Sequence, residues 1–397
     1  MDGPAPEPAW RLPADPGLSN LVSALRVAGY RVIGPHVKDG AICLGEIQSA
    51  DQLPFGWGVQ LAPGGYRLRQ RADQAAFGHS AGPQSWKQFL HPPRERLWSA
   101  DRSAGGEVAT ETAATQAQPL VFLGVRPCDL RAIQIQDDIL GAPRHPDSGY
   151  AQRRAEVLII AVNCTEPGAT CFCTSMGTGP RADAGYDLLL TELPGPGEHE
   201  FVAWSGSAAG EAILAGLHLQ PALTATVEQA DAAVDAAAGQ MGRVMPAGGL
   251  RDLLAETLDA ARWDDVAARC LTCGNCTMAC PTCFCTTVED STDLTGDHAE
   301  RWQSWASCFE LEFSSLHGGP VRSAGGSRYR QWLTHKLGTW HDQFGSSGCV
   351  GCGRCIVWCP VGIDITEEVA ALRAESDATA AGASDQIPER GITHDRE

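Results

Sequence analysis

Sixteen cysteines in 397 residues are the side chains best able to do chemistry here, and half of them fall into two runs of identical spacing. Cys270-x2-Cys273-x2-Cys276-x3-Cys280-Pro281 is the first, and Cys349-x2-Cys352-x2-Cys355-x3-Cys359-Pro360 is the second. Two-residue gaps wrap a tight loop around one iron–sulfur cube and offer three thiolates to three of its irons. The fourth Cys, a helical turn farther on, points at the neighbouring cube, and the Pro turns the chain away. The reading is crossed ligation: Cys270, Cys273, Cys276 and Cys359 for one 4Fe-4S cluster, and Cys280, Cys349, Cys352 and Cys355 for the other. Zinc ribbons also use Cys-x2-Cys pairs, but nothing in a zinc ribbon calls for four Cys and a Pro in one run, twice. The departure from a small ferredoxin is the 68 residues between the runs, 281–348.

A third set is read in the first half. Cys128 follows the apolar run Leu120–Val125 and Cys164 follows Val157–Val162. If those runs are parallel neighbours, both thiols stand at the carboxyl edge where open α/β sheets build sites. Cys171 and Cys173 come shortly after, so four thiols converge on one crevice and make a third 4Fe-4S site. The competing reading makes Cys128 and Cys164 small buried side chains and leaves the other two incidental. Cys43, Cys283, Cys285 and Cys308 remain. TCFCT at 170–174 recurs at 282–286, which allows a second unusual ligand set including Cys308. With no fourth partner but the remote Cys43, packing against the neighbouring clusters is the preferred role, and Cys283→Ser is expected to lose no cluster.

The elements that must position these thiols follow from periodicity. Leu120–Val125 and Val157–Val162 are short, rich in branched residues and bounded by breakers, as buried parallel strands are. Residues 129–140 between them have helical spacing, giving a strand–helix–strand unit. A helix from Leu18, a hairpin turning at Lys38-Asp39-Gly40 and a strand over 186–190 complete the first half, with an Ala-rich polar helix or linker over 225–240. Residues 250–268 read as one amphipathic helix leading into the cysteines. The expected organisation is a flexible leader over 1–17, an α/β domain over 18–245 with a small-residue linker at 100–117, and a ferredoxin-like (α+β) domain over 246–375 holding two 4Fe-4S clusters and a long insert, 286–348. A disordered tail over 376–397 ends it. In the insert Tyr329, Trp332, Leu333, Leu337, Trp340 and Phe344 recur at helical spacing, as a helix covering the clusters or as a docking face. Trp302, Trp305 and Trp358 are read as excluding water from the clusters.

Composition narrows the function. Thirty basic against 48 acidic residues give a net charge of −18, which repels nucleic acid and anionic membranes. No run is long and apolar enough for membrane insertion and no export signal is evident, so a cytoplasmic location is expected, where so many thiols point to metal ligation and not to disulfides. No G-x-G-x-x-G or P-loop offers a nucleotide cradle, the histidines are scattered, and Cys-x-x-Cys pairs that would hold a nickel–iron centre occur only inside the two runs, save for Cys280-x-x-Cys283, which starts on the last Cys of the first. Clusters without substrate chemistry make an electron relay.

GVRPCDLRAI (124–133), NCTEPGATCFCTSMGTGP (163–180), CLTCGNCTMACPTCFCTTVED (270–290), SRYRQWLTHKLGTW (327–340) and SGCVGCGRCIVWCPVGIDITEE (347–368) resemble the beta subunits of cytosolic NADP-linked nickel–iron hydrogenases of the sulfhydrogenase type. The electron-transfer subunit of anaerobic sulfite reductase is similar. The resemblance implies a non-catalytic electron-transfer subunit of an oxidoreductase. Its partners would be a flavin subunit binding NADP(H), together with the small iron–sulfur and large nickel–iron subunits of a hydrogenase. Hydrogen oxidation would then be coupled reversibly to NADP reduction. In the sulfite-reductase reading the terminal partner carries sirohaem. A free-standing redox or iron–sulfur sensor is the alternative of another class.

Overall fold

The computed structural model describes residues 8–112, 119–142, 144–195, 198–246 and 248–384. Its first half is built on β1 (Trp10–Pro13), β2 (Arg31–Lys38) and β3 (Ala41–Ile47), a side hairpin of β4 (Trp57–Ala62) and β5 (Gly65–Gln70), and then β6 (Arg94–Arg102) and β7 (Val108–Thr112). β8 (Leu120–Val125), β9 (Val157–Val162), β10 (Leu188–Pro194), β11 (His199–Ser205) and β12 (Gln220–Pro221) follow. Eight of these form one mixed sheet in the order β12-β1-β11-β10-β9-β8-β2-β3. Its centre is parallel, with β8 beside β9 (Val121 opposite Leu158) and β10 on the other side of β9. Both faces are buried. Val121, Leu123, Leu158 and Ile160 pack with Leu21 and Leu25 of the helix Ser19–Val27 on one side. Phe122, Val125, Ile159 and Ala161 pack with Leu130 and Ile133 of the helix Pro127–Leu140 on the other. A strand covered on both faces has no polar side to show, which is why these runs are continuously apolar.

Several expectations are corrected. Within 1–17, Trp10–Pro13 is a sheet strand, antiparallel to β11, with Leu12 fully buried opposite Phe201; residues 1–7 lie outside the described residues. Pro prevents a helix there but suits an extended strand whose last N–H is not needed. Residues 100–112 of the expected linker belong to the β6–β7 hairpin, whose tip is Gly106 at φ +84°. Every side chain of β7 is exposed, so no alternation marks the strand; 113–118 lie outside the described residues. The single helix over 250–268 is two, Leu250–Glu256 and Arg262–Arg269, with Trp263 Nε1 donating to Thr257 O at 2.6 Å across the break. The helix Ile365–Ser384 runs through the first part of the expected tail. Val369 and Leu372 seat it in the core, and its buried Glu368 accepts from Arg262 at 2.6 Å and Arg269 at 2.8 Å. Residues 385–397 lie outside the described residues.

The insert does not stay within 246–375. β13 (Thr286–Thr292) and β14 (His298–Trp305) form a hairpin that β6 and β7 extend to a four-stranded sheet, β13-β14-β6-β7. The two halves of the sequence therefore share a sheet. After it, Gly325–Phe344 is helical with one wider turn at His335–Thr339, and it buries Tyr329, Trp332, Leu333, Leu337 and Trp340. This is a core helix, and it packs with Leu254, Trp263, Phe309, Ile356, Ile363 and Val369 around several of the cysteines.

Candidate metal centres

The two cysteine runs have the same local shape. Each turns through left-handed residues at matching places, Thr272 (φ +53°) and Gly274 (φ +74°) in the first, Gly351 (φ +65°) and Gly353 (φ +74°) in the second. A short helix then follows in each, Asn275–Met278 and Arg354–Val357. The left-handed turn aims backbone N–H groups inward. Thr272 N donates to Cys270 Sγ and Gly351 N to Cys349 Sγ, both at 3.4 Å, and Ile363 N donates to Cys359 Sγ at 3.3 Å. N–H groups aimed at sulfur stabilise thiolate charge and set cluster potentials.

Cys270, Cys273, Cys276 and Cys359 line one cavity together with Cys355, walled by Phe309, Tyr329, Trp332 and Ile363. Burial pushes the Cys276 thiol up, with Cys308 the next influence. In the second set the charge of Cys280 acts on Cys349, Cys352 and Cys355 alike, and burial pushes Cys349 up to about 12. A hydrogen bond from Cys283 holds Cys280 down and, reciprocally, pushes Cys283 up.

Cys128, Cys164, Cys171 and Cys173 line a further cavity beyond the carboxyl ends of β8 and β9, with Cys352 as a fifth sulfur. Burial raises all four thiols, Cys171 to about 12. The segment 170–173 is laid on the second run: Phe172 N donates to Gly351 O at 2.8 Å and Thr178 Oγ1 to Val350 O at 2.6 Å. Gly353 is needed there, since a Cβ would stand 2.4 Å from Thr170 O. Arg354 of the second run crosses to Asp129 in a buried bidentate pair, 2.8 and 3.0 Å. Sequence reasoning assigned no role to this pair, although each residue adjoins a cysteine, Cys355 and Cys128 respectively.

Four-thiol sets of this kind suit iron–sulfur clusters. Among the described residues no three His, Cys, Asp or Glu side chains close around a point as on a single ion. The first and third sets each border a cavity instead, as a cluster with one thiolate per iron requires. Buried thiols that resist ionisation become thiolates when a cationic group binds and releases their protons. Trp305 and Trp358 close polar ends on His91 O and Ala81 O, both at 3.0 Å, and present apolar rings; Trp302 stacks under Arg94. Cys43 stands apart on β3, its sulfur 3.9 Å from Lys38 O.

Paired runs on such a frame define a 4Fe-4S dicluster protein, and the profile of the family described as "4Fe-4S dicluster domain" matches residues 269–363. The chain is 31% identical over 291 residues to sulfhydrogenase 2 subunit beta of Pyrococcus furiosus, an alignment covering 70% of this chain and 79% of that one. It belongs to the family of sulfhydrogenase beta subunits. No solved structure matches it. Its role is iron–sulfur electron transfer. Among the described residues no helix is long and apolar enough to cross a membrane.

Proposed function

We propose that this chain relays single electrons between a flavin subunit that binds NADP(H) and the iron–sulfur and nickel–iron subunits of a hydrogenase, working reversibly between hydrogen and NADP. One observation carries the reading: the three cysteine sets abut. Cys355 of the second set feels the charge of Cys276 of the first, and Cys352 of the second acts on Cys128, Cys171 and Cys173 of the third. Three adjoining sites, each a holder for a one-electron group, make a route through the fold.

Each 4Fe-4S cluster would take and give one electron without bond rearrangement in the protein. The chain's own contribution is to hold and insulate. Cys270, Cys273, Cys276 and Cys359 would hold one cluster, Cys280, Cys349, Cys352 and Cys355 a second, and Cys128, Cys164, Cys171 and Cys173 a third. Phe309, Tyr329 and Trp332 exclude water from the first, and backbone N–H groups of Thr272, Gly351 and Ile363 temper the sulfur charge. The hydrogenase partner is favoured by the name of the Pyrococcus furiosus relative.

The test is Cys276→Ala in the assembled enzyme. Hydrogen-dependent NADP reduction should fall steeply while hydrogen-driven dye reduction at the hydrogenase subunits survives. Equal loss of both would place the site in the hydrogenase module or make it a structural joint. Retention of both would mean that electrons bypass this chain.

A further inference from the structure

The repeated TCFCT element has a third echo, visible once the segments are seen on the runs they flank. Thr170-Cys171-Phe172-Cys173 lies against Gly353 of the second run. Ser307-Cys308-Phe309-Glu310 lies against Gly274, the matching residue of the first: a Cβ there would stand 2.9 Å from Ser307 Oγ. Phe172 and Phe309 are both fully buried in the same core. Each run thus carries a Cys-Phe segment on its flank. On the second run that segment supplies two thiols to the third set. In the register set by Thr170 and Ser307, Cys308 corresponds to Cys171 and Glu310 to Cys173, with Cys308 half-buried and Glu310 exposed.

The other TCFC segment, 282–285, comes to the same place. β13 continues directly from Cys285, and its pairing of Thr286 with Trp305 lays Cys285 beside the strand that leads to Cys308. Ala306 N donates to Cys285 O at 2.9 Å. The charge of Cys285 acts on Cys308, and that of Glu310 on Cys285. Glu310 Oε1 accepts from Ser307 N at 3.1 Å, which leaves its second oxygen for another partner.

Two buried lysines face this group. Lys87 and Lys336 are 5% and 3% exposed, and among the described residues neither pairs with Asp or Glu. Lys87 Nζ donates to Cys283 O at 3.0 Å and sits 3.6 Å from the centre of the Trp305 ring. Lys336 Nζ donates to Thr282 Oγ1 at 2.9 Å and Gly348 O at 3.2 Å. Carbonyls and hydroxyls do not neutralise a buried ammonium, which needs an anion. A cluster on Cys280 and Cys349 would answer Lys336. Lys87 meets the 282–285 segment at its other end, through the Cys283 carbonyl and the Trp305 ring, so the two lysines bracket Cys283 and Cys285.

We infer that Cys283, Cys285 and Cys308 hold a fourth iron–sulfur cluster on the flank of the first run, with the Glu310 carboxylate at its fourth corner. The inference rests on the iron–sulfur reading of the chain. Cys308 also faces Cys276, and Cys283 faces Cys280, so the fourth cluster adjoins both ferredoxin-type sites.

The experiment counts iron and acid-labile sulfide in the full chain prepared anaerobically. Cys285→Ala and Cys308→Ala should each remove about four iron and four sulfide, and the triple variant with Cys283→Ala should remove the same four and no more, because one cluster is lost in every case. Cys43→Ala should lose none. Unchanged iron in the single and triple variants overturns the fourth site, and so does a triple variant that loses about eight, which would make these thiols supports of the neighbouring clusters. Cys276→Ala serves as the control. If it too leaves iron unchanged, the iron–sulfur reading itself has failed, whereas loss in the control alone sinks only the fourth site.

Discussion

Replacing Asp129 with Leu leaves Arg354 charged and without its carboxylate at the joint between the second run and the helix Pro127–Leu140. The two side chains are 4% and 8% exposed and joined by two hydrogen bonds of 2.8 and 3.0 Å. With charge centres ~4 Å apart and an effective dielectric of about 20, their attraction is about 4 kcal/mol. Breaking a buried pair by removing one partner costs about 3–5 kcal/mol, because the survivor keeps its desolvation penalty. That is a change of about two to three and a half powers of ten in the folding equilibrium, at about 1.4 kcal/mol for each. The double variant Asp129→Leu, Arg354→Met removes both charges and should recover most of the loss, since a buried pair replaced by apolar groups is often neutral. Anaerobic urea titrations of wild type, both single variants and the double would be followed by circular dichroism and by visible cluster absorbance. A cost below about 1 kcal/mol for Asp129→Leu, or a double variant no more stable than the single, would refute the reasoning.

Cys128→Ser should remove about four iron and leave the ferredoxin-type pair in place, which iron analysis with electron paramagnetic resonance would show. Gly353→Ala should do similar damage by another route: its φ of +74° and a Cβ at 2.4 Å from Thr170 O make a strained clash costing about 2 kcal/mol or more, so the 170–173 segment should undock and protease nicking near it should rise. His91 is 1% exposed, and burial, with Lys87 the next cause, pushes it down to about 4. The unfolded chain takes up that proton near pH 6.5 and the folded chain does not until about pH 4. Stability from this residue is therefore complete above pH 6.5 and falls by roughly 3 kcal/mol as pH drops to 4. His91→Gln should flatten that slope in urea midpoints measured from pH 7 to 4.

What could be read directly were features carried by neighbours in sequence. The Cys-x2-Cys-x2-Cys-x3-Cys-Pro spacing is local geometry, and so are the apolar runs that became β8 and β9 and place Cys128 and Cys164 just past adjacent strand ends. The elements that escaped were those with no periodic signal: β1 behind its prolines, β7 with every side chain in water, and the Ala-rich turns of the last helix.

The sequence by itself determined that this chain ligates iron–sulfur clusters and offers no nucleotide cradle of a familiar pattern, because ligand type and spacing are properties of a short segment. Tertiary structure alone decided how thiols remote in the chain reach one cavity. The 68-residue return that brings Cys359 to Cys270, the register of β13 on β14 that brings Cys285 toward Cys308, and the helix that carries Lys336 beneath Thr282 are all contacts between residues remote in the chain. Such contacts are settled by the packing of Phe172, Phe309, Trp332 and Leu337 into one core. That packing depends on every element at once, and no local spacing encodes it.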